Sequence, residues 1–225
     1  MALAVLLVVL LFTTLLNRSG SGGGGTASPP GSSVGGGIPQ RPSAPLPPTP
    51  KSEWDFDEGL GRNVADTAGG SPITLQGPPD WIDDGSGGTA AHFDGIRTYG
   101  VTNDPVLDTT RSFTVSAWVR LDKLPAGTAT AVSQDAATDS AFSLQYADKH
   151  WVLTGSNPGT SGFARSIRSP SAGQWTLLTG VRDLSDGQLI LYVDGTRQNA
   201  VSYGPRPVST GPLAVGRGLL GGEPG

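Results

Sequence analysis

A chain of 225 residues with no cysteine, 34 glycines and only 15% charged residues is long enough to bury a real core, and it excludes a disulfide framework or a thiolate metal site. The formal net charge is −4, and the 15 Lys and Arg residues are scattered along the chain. That distribution lacks the basic footprint of a nucleic-acid partner.

Residues 1–16 open the chain with an apolar run, ALAVLLVVLLFTTLL after the first Met, in which only Thr13 and Thr14 are polar. Fifteen residues fit a signal-peptide core better than a full membrane span of about 20. However, nothing basic precedes the run, and the only small-x-small pattern after it is Ser19-Gly20-Ser21. The segment is therefore expected as a hydrophobic helix, an uncleaved anchor in preference to a cleaved signal. It would leave the rest of the chain at the outer face of a cell membrane or secreted.

Residues 17–52 hold two glycine runs and the proline-rich RPSAPLPPTP at 41–50, with almost nothing that packs. This composition predicts a disordered linker, flexible in its glycine part and a stiffer polyproline II spacer in its proline part.

The domain is expected over 53–225, where all five Trp, all four Tyr and five of the six Phe residues lie. Residues 112–121 (SFTVSAWVRL) alternate at a period of two, with Phe113, Val115, Ala117, Val119 and Leu121 on a core face and Thr114, Ser116, Trp118 and Arg120 on the other. Residues 174–181 (QWTLLTGV) and 189–195 (LILYVDG) alternate in the same way, as strands covered on both sides. Asp186-Gly187, Asp194-Gly195 and Asn157-Pro158-Gly159 supply turns between such runs. Short alternating segments without a helical period predict an all-β fold, two antiparallel sheets packed face to face.

In order, Trp54-Asp55-Phe56-Asp57-Glu58-Gly59, Val64-Ala65-Asp66 with Gly69-Gly70, Phe93-Asp94-Gly95, SFTVSAWVR, GQWTLLTGVRD and LILYVDG resemble the laminin-G-like jellyroll domains of the concanavalin A-like lectin/glucanase superfamily, of the bacterial extracellular type. The resemblance runs from about Trp54 to about Gly218. It implies an antiparallel jelly-roll β-sandwich that binds carbohydrate or protein. Such domains continue after a segment like GPLAVGRG at 211–218 into a closing strand, and residues 219–225 show none. A truncated domain with an unpaired sheet edge and poor solubility is the expectation. Several members of the superfamily hold calcium through Asp carboxylates, which makes Asp66 and Asp94 the candidate Ca2+ ligands; the competing reading of each is a turn in which the side chain bonds its own backbone.

Glycoside hydrolysis needs a carboxylate pair on one strand face. The three glutamates, Glu53, Glu58 and Glu223, are not in a Glu-x-Asp-x-x-Glu arrangement, and with only His92 and His150 and no Gly-x-Ser-x-Gly elbow no hydrolytic triad is expected. The chain is thus expected not to be an enzyme. For sugar binding the candidates are the aromatic rings of Trp151, Tyr146 and Trp118. Two functions fit: a membrane-tethered or secreted binding or adhesion module for glycan or extracellular protein, and an accessory carbohydrate-binding domain of a larger secreted glycoside-active enzyme.

Overall fold

The computed structural model describes the backbone of residues 3–6, and residues 49–155, 162–204 and 208–224. Every helix or strand in them is a strand: Leu3–Leu6 (β1), Asn63–Val64 (β2), Ile73–Gln76 (β3), Asp80–Asp83 (β4), Thr89–Phe93 (β5), Tyr99–Val101 (β6), Phe113–Leu121 (β7), Ala129–Asp135 (β8), Ser140–Ala147 (β9), His150–Gly155 (β10), Gly162–Arg165 (β11), Thr176–Asp183 (β12), Gln188–Val193 (β13), Thr196–Ser202 (β14), Leu213–Val215 (β15), Leu219–Leu220 (β16) and Glu223–Pro224 (β17). One sheet has the order β14-β13-β12-β7-β1-β5-β4, the other β11-β10-β9-β8-β15-β6-β3-β2, and β16 pairs with β17 in a small hairpin. The fold is the expected all-β jelly-roll sandwich.

The period-two pattern of β7 decides its faces. Phe113, Val115, Ala117, Val119 and Leu121 are at most 2% exposed, while Thr114, Trp118 and Arg120 are half-buried on the other side. In β12 the face toward the core carries Thr176, Leu178 and Gly180, and Leu177, Thr179 and Val181 remain half-buried outside. A strand covered on both sides was expected there; the second face is instead open to solvent at intermediate depth. Gly180 has a packing reason, because a Cβ at that position would lie 2.8 Å from Leu153 Cδ1 of the opposite sheet. Inner faces of both sheets, with Trp54 and Phe56 from the segment before β2, merge in one core.

Turn chemistry follows the sequence where it uses Asp-Gly. Asp194 and Gly195 both have positive φ (50° and 72°) between β13 and β14, as a type I′ turn requires. Gly187, between β12 and β13, has φ of 61°. The equally tight β9–β10 turn places Asp148 and Lys149 at φ 48° and 67° without a glycine. Asn157-Pro158-Gly159 lies outside the described residues.

In the first sheet β5 and β7 do not pair with each other; β1 lies between them and pairs antiparallel with both. The four residues of β1 are extended; the rest of the apolar run, and the linker up to residue 48, lie outside the described residues. No described helix is long and apolar enough to cross a membrane.

Gln134 ties the loop after β6 to the sheet. It is fully buried, its Oε1 accepts from the N–H groups of Val106 (3.2 Å) and Leu107 (2.8 Å), and its Nε2 donates to Leu107 O (2.8 Å) and Ser209 Oγ (2.9 Å). Removing that amide strands buried donors and acceptors at about 1–3 kcal/mol each. Gln134→Ala is therefore expected to destabilise the domain by about 3 kcal/mol or more, measured by urea unfolding.

Candidate functional site

The outer face of the β14–β4 sheet gathers the half-exposed rings of Trp118, Trp175 and Tyr192 and several charged side chains into rows that run across strands. In the first row Arg120 of β7 lies opposite Ala4 of β1, Ala4 opposite His92 of β5, and His92 opposite Asp80 of β4. Trp175, one residue before β12, extends the row on the far side, with the Arg120 Cζ 4.9 Å from its ring centroid. In the second row Trp118 is registered with Leu177 on one side and Leu6 on the other. The third row joins Tyr192, Thr179 and Ser116, and the Thr179 and Ser116 hydroxyls are hydrogen-bonded at 2.9 Å.

Each group in the first row is held by a partner. His92 Nδ1 lies 2.9 Å from Asp80 Oδ2 and its Nε2 lies 3.0 Å from Asp122 Oδ2. Ionised carboxylates only accept, so the ring donates to both at once only when it carries both protons. Arg120 Nε is 3.7 Å from Asp122 Oδ1. Trp175 Nε1 donates to the Asp84 carbonyl at 2.8 Å, which brings the β4–β5 turn against the indole. The result is a surface of flat apolar rings beside oriented donors and acceptors. A sugar ring needs both, since its C–H face stacks on an aromatic while its hydroxyls are hydrogen-bonded.

A laminin-G family model of the concanavalin A-like lectin/glucanases superfamily matches residues 93–224, more than half of the chain. The chain belongs to this superfamily. Solved structures similar to this concanavalin A-like domain include domain 4 of AbnA, a GH43 extracellular arabinanase from Geobacillus stearothermophilus, in complex with arabinotriose. It aligns with a TM-score of 0.61 at 23% identity over 77% of this chain and 85% of that one. The binding domain of botulinum neurotoxin DC, in complex with SialylT, aligns with a TM-score of 0.53 at 13% identity over 73% of this chain and 44% of that one. These identities establish likeness of fold. No curated protein matches the chain.

Two of the three aromatic candidates are corrected by the concanavalin A-like core. Tyr146 and Trp151 are each 2% exposed, cross-strand neighbours on the inner face, with rings edge to face at 6.2 Å. Burial there leaves no ring face for a ligand. Trp118 is the one candidate on an open surface, and Trp175, Tyr192, Arg120 and His92 join it although none was singled out from sequence. The signal was present for Arg120, which shares the outward parity of Trp118. For Trp175 and His92 it was not, because their neighbours come from distant parts of the chain.

The candidate calcium ligands are turn caps. Asp66 Oδ1 accepts from the N–H groups of Glu53 (2.9 Å), Ala68 (3.1 Å) and Gly69 (2.8 Å), and its Oδ2 accepts from Ser71 (3.2 Å). Asp94 Oδ1 accepts from the N–H groups of Ile96, Arg97 and Thr98 and from the Thr98 hydroxyl, all within 2.9 Å. Converging N–H dipoles present their positive ends where a cation would have to sit. Among the described residues no three His, Asp or Glu side chains are grouped to hold a metal ion. Burial pushes both carboxyls up, but the donated hydrogen bonds outweigh it and hold both below the ordinary carboxylate range.

A depressed folded-state value means that stabilisation is full above the unfolded carboxylate value, about 3.9, and is lost as pH falls toward the folded one. The melting temperature is thus expected to fall once pH drops below about 4, and Asp94→Asn to flatten part of that fall. At pH 7 Asp94→Ala is expected to cost about 1–2 kcal/mol, with the same melt in excess calcium and in chelator. A calcium-dependent rise that Asp94→Ala abolishes would restore the metal reading.

Proposed function

We propose that the chain is a non-catalytic carbohydrate-binding module that works outside the cell, with a saccharide seated across Trp118 and Trp175. The observation that carries this reading is the joining of two half-exposed indoles, Arg120 and the His92 cluster on a single sheet face. Apolar side chains left on an outer surface cost solvation, and a rimmed aromatic patch is the usual mark of a binding surface. Similarity in fold to domains solved with arabinotriose and with SialylT supports a glycan rather than a protein ligand. The apolar run and the proline-rich spacer support export of the module.

The non-catalytic reading is supported by the side chains on this face. Asp80 and Asp122 both engage His92, and Asp122 also lies 3.7 Å from Arg120, so both carboxylates are taken up by partners on the face itself. A second placement, as the accessory domain of a larger glycoside-active enzyme, is favoured by the likeness to domain 4 of an arabinanase.

The test is affinity electrophoresis and calorimetry of the purified chain against a polysaccharide panel that includes arabinan. Trp118→Ala and Trp175→Ala are each expected to weaken binding by about 1–2 kcal/mol, roughly five- to thirtyfold, with an unchanged fold. No new reducing ends should appear on prolonged incubation. Binding that survives the double substitution would overturn the location, and release of reducing ends would overturn the non-catalytic reading.

A further inference from the structure

In the β14–β4 sheet, β5 and β7 are not hydrogen-bonded to each other; β1 lies between them. Leu3, Ala4 and Val5 register with Phe93, His92 and Ala91 on one side, and Leu3 through Leu6 with Leu121, Arg120, Val119 and Trp118 on the other. The neighbours of Leu3 and Val5 in these registers, Phe93, Leu121, Ala91 and Val119, are all at most 2% exposed and belong to the core. By register Ala4 stands in the row between Arg120 and His92.

We infer that the track between β5 and β7 is a strand-acceptor site whose occupant is the chain's own apolar segment Leu3–Leu6. The chemistry of the track selects such an occupant. Two central strands, β5 and β7, each offer a ladder of N–H and C=O groups that must be paired when the sheet is covered. An uninterrupted apolar run suits a strand flanked on both sides, and more than forty residues between Leu6 and Thr49 let the segment reach the track in cis. The site is also linked to the outer face, since His92 of β5 reaches Asp122, just past β7, at 3.0 Å across the track. A segment seated there is withdrawn from lipid, so the apolar run has two exclusive placements. This inference rests on the sheet and not on the saccharide reading.

Because the chain has no cysteine, introduced pairs report the register cleanly. Cross-strand partners have Cα separations of about 4.5–5.5 Å, inside the range a disulfide spans. Ala4→Cys combined with His92→Cys, and separately with Arg120→Cys, should cross-link within one chain on mild oxidation. Ala4→Cys with Thr114→Cys is the control, since Thr114 lies about 20 Å further along β7 on the same face. Cross-linking at the control level, or only between two chains, overturns the proposal.

A second measurement leaves the sheet edges untouched by cysteine. Val5→Pro removes an N–H and cannot continue the central pairing. In the full chain it should increase hydrogen exchange in residues 89–93 and 113–121 and lower the melting temperature by at least about 5 °C. An exchange pattern and melt identical to the parent chain would show the segment is not seated, and would overturn the proposal while leaving glycan binding to be judged separately.

Discussion

The structure hangs on the demand that both backbone edges of β7 be hydrogen-bonded. This nine-residue strand buries Val115, Ala117 and Val119 completely, so an unpaired N–H or C=O along it would cost the full desolvation of that group. On one edge β12 answers over seven register positions, and on the other β1 answers over four. Strands β13 and β14 extend the sheet beyond β12, and β5 and β4 extend it beyond β1. Both halves of the sheet thus depend on how the edges of a single strand are satisfied.

The same pairing organises the outer face. Antiparallel register sets each outward residue of β7 beside one outward residue of each neighbour, so that Arg120 meets both Trp175 and the His92 row while Trp118 meets Leu177. The ion pairs there involve partly exposed side chains, with Asp80 64% and Asp122 40% exposed. Exposed pairs contribute little to stability. Their effect is to orient donors and acceptors beside two indoles, with little consequence for folding. In this respect the outer face differs from the interior, where Gln134 satisfies backbone groups that have no access to water.

Much of the fold was legible in the alternation of particular segments. Phe113 through Leu121 announced its core face residue by residue, and Asp194-Gly195 announced its turn, because both signals are local. The turn at Asp148-Lys149 was not legible, since positive φ at two non-glycine residues is imposed by the strands it joins. The aromatic candidates were misjudged for a related reason. Tyr146 and Trp151 flank the β9–β10 turn, yet their parity along β9 and β10 points them into the core. Trp118, whose parity along β7 is opposite to that of the core residues, is on the open face. The Asp66 and Asp94 turns followed from Asp close to Gly, a pattern in which the carboxylate and its backbone donors lie a few residues apart.

By itself the sequence determined the all-β class, the inward face of the central strands and the Asp-Gly turn at 194–195, because period-two burial and turn conformation are properties of consecutive residues. Only the tertiary structure decided which segment lies between β5 and β7 and which side chains meet around Arg120. A strand has two edges and no local marker of its neighbours, so partners drawn from residues 3–6, 80–93 and 175–183 are chosen by the pairing and packing of the whole sheet.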